Sequence, residues 1–421
     1  IVIETKKGRN TPTSINFGTS LSIASPADLN KMDRMSSAQY IDLEKQLVEE
    51  GFIADNIEKN SWDAFNSNKP HSESLEWIFR VLRGTASEQE RDAALARLAS
   101  TDNRNQIKDY LLQKATSQQY NLSISGGANK STYFVSTNYT KDVPVFRANK
   151  AESFNTTANL TNMLFNDRVK LGTGITYNYG NSIGNSAAIN ALSSNISSGG
   201  LLPYDLLKDE NGNNIRRYIQ FRPEVSQDFE NKGYMDWAYN PIEELSAANY
   251  NNQTHALRMH MDINTKLTNW ADFSVMGQWQ RQLNNVENID GINSYTQRNQ
   301  INIGTTFNDN GNYVYGYRMG GRLGIQNYNG SQYVFRTQLN INKAFGTSAQ
   351  HNLNFLAGAE WKQNGYRSST DAYLGFNADT YSFAVINPRG SYPTIYGWDN
   401  YFSSNASIAK NRNRALSYYS N

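Results

Sequence analysis

The chain has 421 residues, a formal net charge of +2, 38% apolar residues and a mean hydropathy of −0.67. No apolar run reaches the roughly 18 residues a spanning helix needs, so a bundle of transmembrane helices is excluded, and the near-neutral charge gives no case for nucleic acid or an anionic membrane surface. Cysteine is absent, which removes disulfides, thiol catalysis and cysteine metal sites.

In chain order, Ile1–Thr5 reads as a short apolar strand closed by Lys6-Lys7-Gly8, and these residues carry no signal-peptide pattern. Ile15, Phe17, Thr19, Leu21 and Ile23 then alternate along a strand. Residues 26 to about 118 change character and hold the only convincing helical patterns. Ser36-x-x-Gln39 has the form of a capping box ahead of Tyr40, Leu43 and Leu47, with Gly51 as the stop. Thr85-x-x-Glu88 repeats that signal ahead of Ala94, Leu95 and Leu98, and a third helix is expected around 107–112.

Alternation resumes at Tyr120, Leu122 and Ile124, and the segment Gly126-Gly127-Ala128-Asn129-Lys130 is expected to turn the chain into Tyr133, Val135, Thr137 and Tyr139. Residues 154–164 run to a turn at Asn166-Asp167, and Val169 to Tyr179 climb back. A long loop is expected over about 181–253. His255–Leu267 shows the pattern best: Leu257, Met259, Met261 and Ile263 share one face, and Arg258, His260, Asp262 and Asn264 the other. After Asn269-Trp270, residues 273–279 ascend. Further long loops are expected over about 283–330 and 363–410, with a hairpin between them turning at Gly346-Thr347-Ser348 and a partial strand after them.

About ten strands result, with short turns all on one side and long connections all on the other. One face of each strand is charged or amide-bearing and the other is Leu, Ile, Met or Phe. A wet lumen and a lipid bilayer satisfy both faces, so the expected fold is all-β, an antiparallel transmembrane β-barrel with a mostly helical first extracellular loop. Phe165, Trp270 and Phe345 at the short-turn end, and Tyr177, Tyr179, Trp279 and Trp361 at the other, sit where interfacial girdles belong. A soluble sandwich or propeller also alternates, but around a dry core.

The chemistry-bearing residues are few. His255 and His260 lie five apart on one strand and so face opposite sides, and His71 and His351 lie elsewhere. Asp209-x-Asn211-x-Asn213 begins like a calcium loop but has Asn214 and Gln220 at its sixth and twelfth positions, so it reads as an Asn-Gly turn. No nucleophile elbow or phosphate-binding loop is present, so no catalytic residue and no cofactor is assigned. Tyr313, Tyr315, Tyr317, Tyr392, Tyr396 and Trp398 are candidate substrate-binding residues: aromatic rings in long loops stack on sugars or grip peptides, or pack loops together. The polar-face charges Arg258, Asp262, Lys266, Asp272 and Arg336 are read as packing contacts with protein that fills the lumen and not as contacts with substrate.

Several stretches resemble the SusC/RagA family of TonB-dependent outer-membrane transporters. Ile1-Val2-Ile3-Glu4-Thr5-Lys6-Lys7-Gly8 resembles the last strand of that family's plug. Asn16 to Ile23 resembles its first barrel strand, and Asn121 to Gly127 followed by Thr132 to Ser136 its second and third. Tyr204-Asp205 and Lys208 to Asn213 look like a loop common in the family. The resemblance implies that residues 1–10 are the last plug strand and 11–421 the first ten or so strands of a larger plugged barrel of 22 strands, with 26–118 as a helical loop insertion. It further implies an internal fragment of a longer polypeptide, residing in the outer membrane of a Gram-negative, Bacteroidetes-like bacterium. The implied activity is import of oligosaccharides or oligopeptides without bond cleavage. The implied partners are a SusD-like lipoprotein lid, the TonB complex acting through a segment outside this chain, and outer-membrane lipid. The alternatives are a porin-like barrel without energy coupling and a soluble β-rich carbohydrate-binding protein.

Overall fold

A computed structural model describes residues 8, 10–55, 68–193, 195–308, 310–346, 350–387, 390–402 and 406–421. The expected plug strand therefore lies almost wholly outside the described residues, as do Thr347 and Ser348 of one expected turn.

Ten strands form one antiparallel sheet in which sequence neighbours are spatial neighbours throughout. They are β1 Ser14–Ala24, β2 Ala115–Ala128, β3 Ser131–Val143, β4 Lys150–Leu164, β5 Val169–Gly184, β6 Ala248–Lys266, β7 Ala271–Asp290, β8 Gly321–Phe345, β9 His351–Phe376 and β10 Ser407–Ser420. The sheet begins at β1 and ends at β10, and these two strands do not pair with each other. Each of the four connections at one end spans at most five residues (129–130, 165–168, 267–270 and 346–350), and the connections at the other end include 25–114, 185–247, 291–320 and 377–406.

The register explains the two faces. Directly opposed residues in an antiparallel pair project to the same side. One such row runs from Ile15 through Ile124, Val135, Ile175, Met259 and Trp279 to Tyr333. The row one residue away runs from Asn16 through Ser123, Thr157, Thr176, Arg258 and Gln280 to Gln332. The apolar face is open: Ile15 is 65% exposed, Phe17 68% and Met261 49%. Neither Phe273 nor Phe355 is buried, and Leu257 and Leu339 are only half-buried. The clusters of buried apolar residues draw almost wholly on the long connections. Among the described residues, neither face of the ten-stranded sheet carries a dry core of its own.

The elements differ from the sequence reading in several respects. The hairpin between β2 and β3 reverses at Asn129 and Lys130, with φ of 48° and 72°, while Gly126 and Gly127 remain inside the strand. Two left-handed residues match the twist of the flanking strands, so the turn follows Asn-Lys and not Gly-Gly. The second capping box is Ser87 with Glu90 and not Thr85 with Glu88; Thr85 instead donates its hydroxyl to the carbonyl of Arg80. The strands also run further than expected, through 184, 248, 290, 321 and 376, where alternation between polar residues leaves no hydropathy signal. β9 alone has 26 residues, on the order of 85 Å of strand, far more than an apolar band of about 25 Å requires.

The helical first connection holds α1 Ser37–Glu49, α2 Glu73–Leu82, α3 Glu88–Ala99 and α4 Arg104–Leu111. The Ser36–Gln39 capping box is reciprocal as expected, and Gly51 takes φ 76° after the helix. Helices are not confined to this region. The 185–247 connection carries α5 Ala187–Asn190, α6 Pro223–Asn231 and α7 Pro241–Ala247, and the 291–320 connection carries α8 Tyr295–Ile303. Pro223 and Pro241 open α6 and α7 at positions where the missing N–H costs nothing.

Candidate functional site

The long connections pack into a cap, and the contacts are between loops. Ile107, Leu111 and Leu112 of the first connection meet Ala188, Leu201 and Leu207 of the second. Asn103 donates its amide to the carbonyls of Leu202 (2.6 Å) and Asp205 (3.0 Å), and the Gln106 carbonyl oxygen accepts from the N–H groups of Leu207 and Lys208. Asp55 ties the same two connections by charge. It accepts from Arg83 at 2.5 and 2.7 Å and from Arg222 at 3.0 Å. Burial pushes the Asp55 carboxyl up, but the two guanidiniums outweigh it and hold it below the ordinary range. A third cluster joins three connections: Phe221 and Trp237 pack with Ile303, Ile395 and Tyr396. The Trp237 indole, fully buried, donates to Asn299 at 2.7 Å.

Beneath this cap lie two adjoining cavities. The larger, about 630 Å³, is walled by α8, the upper ends of β7, β8 and β9 and the 377–406 connection, with Gln297, Tyr317, Arg322, Tyr373, Tyr392 and Phe402 among its lining. The smaller, about 340 Å³, shares Asp290 and Thr296 with it and adds Asn185, Tyr239, Glu244 and Asn249. Arg322 and Asp290 form an ion pair at 3.5 Å at the junction. Glu244 accepts from the N–H of Tyr295 at 2.7 Å, and burial pushes its carboxyl up. The combination of aromatic rings with a few placed polar groups is that of a small-molecule pocket.

The six candidate aromatics do not converge on one place. Tyr317 and Tyr392 meet edge to face at 5.7 Å in the wall of the larger cavity, but both are largely buried and also belong to the packing around Ile301 and Leu374. Tyr396 accepts a hydrogen bond from Gln220 at 3.3 Å and stacks on Trp398 at 5.0 Å, beside Phe221. Tyr313 and Tyr315 stack at 5.9 Å on a separate small hairpin, where Tyr313 also leans on Phe307 and Tyr234. Of the six, Tyr315 and Trp398 present the most surface, 45% each. Asp290, Arg322 and Tyr373 escaped the sequence reading because they sit on strand extensions that read as loop.

Other sequence candidates resolve plainly. The Asp209 carboxylate is occupied by the N–H groups of Asn211 and Asn213, as a turn requires. His255 meets Tyr177 at 2.8 Å and Tyr179 on the apolar side, whereas His260 lies opposite Gly174 on the polar side. Among the described residues, no group of three or more His, Asp or Glu is placed to hold a metal ion. Of the polar-face charges, Arg336 is bound by Glu360 of the adjacent strand, and Asp262 lies over Gly172, where any Cβ would collide with its carboxylate.

No family model matches this sequence, and no curated protein does. Among solved structures, the RagAB peptide importer in its closed-closed state matches with a TM-score of 0.62 at 14% identity, over 99% of this chain and 41% of that one. A structure of the RagAB peptide transporter and the open-open state of the importer each match with a TM-score of 0.60 at the same identity. This chain therefore has the fold of part of that transporter chain and spans about two fifths of its length.

Proposed function

We propose that this chain forms part of an outer-membrane β-barrel that imports oligomeric nutrients by TonB-dependent transport. The observation that carries the reading is the sheet: ten meandering strands with one open apolar face, one polar face, short turns at one end and a packed cap at the other. Lipid would cover the apolar face, and the polar face would line the lumen. The fold shared with the RagAB importer supports the same reading.

The cargo in this proposal is an oligosaccharide or oligopeptide, taken up without cleavage. A SusD-like surface lipoprotein would close the capped end, and the TonB complex would act through a plug. The mechanism is gated binding, in which contacts with cargo bias lid and plug between two states. The cavities under the cap would make the first of those contacts.

The test uses the full-length protein in its native membrane. Uptake of labelled oligomers is expected to stop when the proton-motive force is collapsed, and a lipoprotein is expected to co-purify in mild detergent. Uptake that survives uncoupling would indicate a porin-like barrel, the second reading. Recovery of the protein from the soluble fraction would overturn both.

A further inference from the structure

We propose that the polar face of the upper sheet is an uncharged track for a neutral, hydroxyl-rich chain, an oligosaccharide without acidic sugars. The inference rests on the transport reading above and adds the cargo class and the residues that meet it.

Three successive rows of paired residues cross all ten strands on this face. The lowest runs from Asn16 on β1 to Gln280, Gln332, Asn364 and Asn413 on β7 to β10. The middle row carries Asn121, Asn138, Asn155, Asn178, Gln282 and Asn411. The upper row carries Gln119, Thr140, Ser153, Thr254 and Asn284 before reaching Tyr328. Arg258 is the single charged residue in the three rows, and none of them holds Val, Leu, Ile, Met or Phe. One and two rows below, charge returns with His260, Asp262, Arg336, Glu360 and Lys362.

Within the track, a depression of about 290 Å³ opens across β7 to β10. Gln280, Gln282, Gln332, Asn364, Asn411 and Asn413 line it, and the hydrogen bonds among the described residues engage none of their side chains. Elsewhere on the same face such groups are paired, as Thr254 with Asn284 at 2.7 Å and Gln338 with Asn340 at 2.8 Å. Beside the free amides, Tyr328 and Tyr366 stack at 5.6 Å and 24°. Gly330 makes room for the first ring, since a Cβ there would lie 2.8 Å from it.

This chemistry fits sugar better than peptide. Each side-chain amide both donates and accepts, as a hydroxyl does, so amides and sugar hydroxyls match in many orientations. A tyrosine plate takes the C–H face of a pyranose ring. A peptide needs apolar recesses for its side chains and charges for its termini, and the track supplies neither. An acidic chain would leave its carboxylates half-desolvated with only Arg258 to answer them.

The experiment expresses the full-length protein and supplies three size-matched pools: neutral oligosaccharides, acidic oligosaccharides and a peptide digest. Depletion of each pool is followed by mass spectrometry. The wild type is expected to deplete the neutral pool. The charged isosteres Gln282→Glu with Asn364→Asp are expected to lower that depletion about tenfold, while Gln282→Asn with Asn364→Gln retains most of it. Equal outer-membrane abundance of all three proteins is verified by immunoblot of heat-modifiable bands, and a charged pair that fails to assemble is replaced by Gln332→Glu alone. Depletion of only the acidic or peptide pool, or transport indifferent to the added charges, overturns the inference and leaves the transporter reading standing. Depletion of no pool overturns the transporter reading itself.

Discussion

At the residue scale, the cap depends on a few buried polar groups whose partners can be counted. Arg222 has only 6% of its side chain exposed and relies on Asp55 and Glu76 for charge balance. Asp55→Ala leaves that guanidinium without its closer partner and is expected to weaken the junction of the first two connections by about 3 kcal/mol. Faster hydrogen exchange over α2, with β4 and β5 unchanged, is the expected sign. Glu44 is a different case. It is buried, accepts from Ser74, and has no cation paired with it among the described residues, so burial pushes its carboxyl up. A carboxyl raised in the folded state destabilises increasingly as pH climbs past the ordinary glutamate range, and not at all in acid. Glu44→Gln is therefore expected to slow exchange in α1 at pH 7 and to make no difference below about pH 4. Neither role could be read from the sequence. Asp55 and Glu44 carry no local signal, because their partners lie across long gaps in the chain. The six aromatics were legible as loop rings, but which of them pack and which face a cavity depended on contacts between loops.

At the scale of elements, period-two alternation located every strand that crosses the apolar band, and it failed where both faces turn polar. That is why β7, β8 and β9 end some ten residues from their expected limits, taking Asp290 and Arg322 with them. Turn chemistry was half legible. Asn166-Asp167 reverses the chain as expected, with Phe165 also left-handed, and the Asn129-Lys130 turn was obscured by two adjacent glycines. Lys130 holds φ 72° at a cost glycine would avoid, and its ion pair with Asp167 at 3.0 Å is half exposed and worth little. Lys130→Gly is expected to stabilise the β2–β3 hairpin by somewhat under about 1 kcal/mol, seen as a raised unfolding midpoint in urea. The two faces make a sharper forecast. Met259→Arg puts a charge in the apolar row and is expected to cost about 2–4 kcal/mol in assembly. Its neighbour His260, on the polar face, is expected to accept Arg with little loss. Equal outer-membrane yields for the two variants would contradict the assignment of lipid to the Met259 side.

At the scale of the whole molecule, the clusters of buried apolar residues lie almost wholly in the cap, while a continuous open apolar row crosses the sheet. The cap owns the cores, and the sheet owns the open greasy face. Trp237 sits where the second, third and fourth long connections meet, so Trp237→Ala is expected to loosen the cap by about 3–5 kcal/mol while the ten strands stay paired. Limited proteolysis in detergent would show nicks confined to 185–247, 291–320 and 377–406. The hydrogen-bonded ladder runs without a break in register across the sheet, apart from one irregularity at Gly321 and Arg322. Because facing alternates with every step, adding or deleting one amino acid within a strand would invert everything beyond it, sending asparagines to the apolar face and leucines to the polar one. Evolution can therefore lengthen or trim this protein most easily at its rim, but along its wall it must do so in twos or absorb the odd residue in a bulge, as Gly375 is absorbed opposite Gly321 and Arg322.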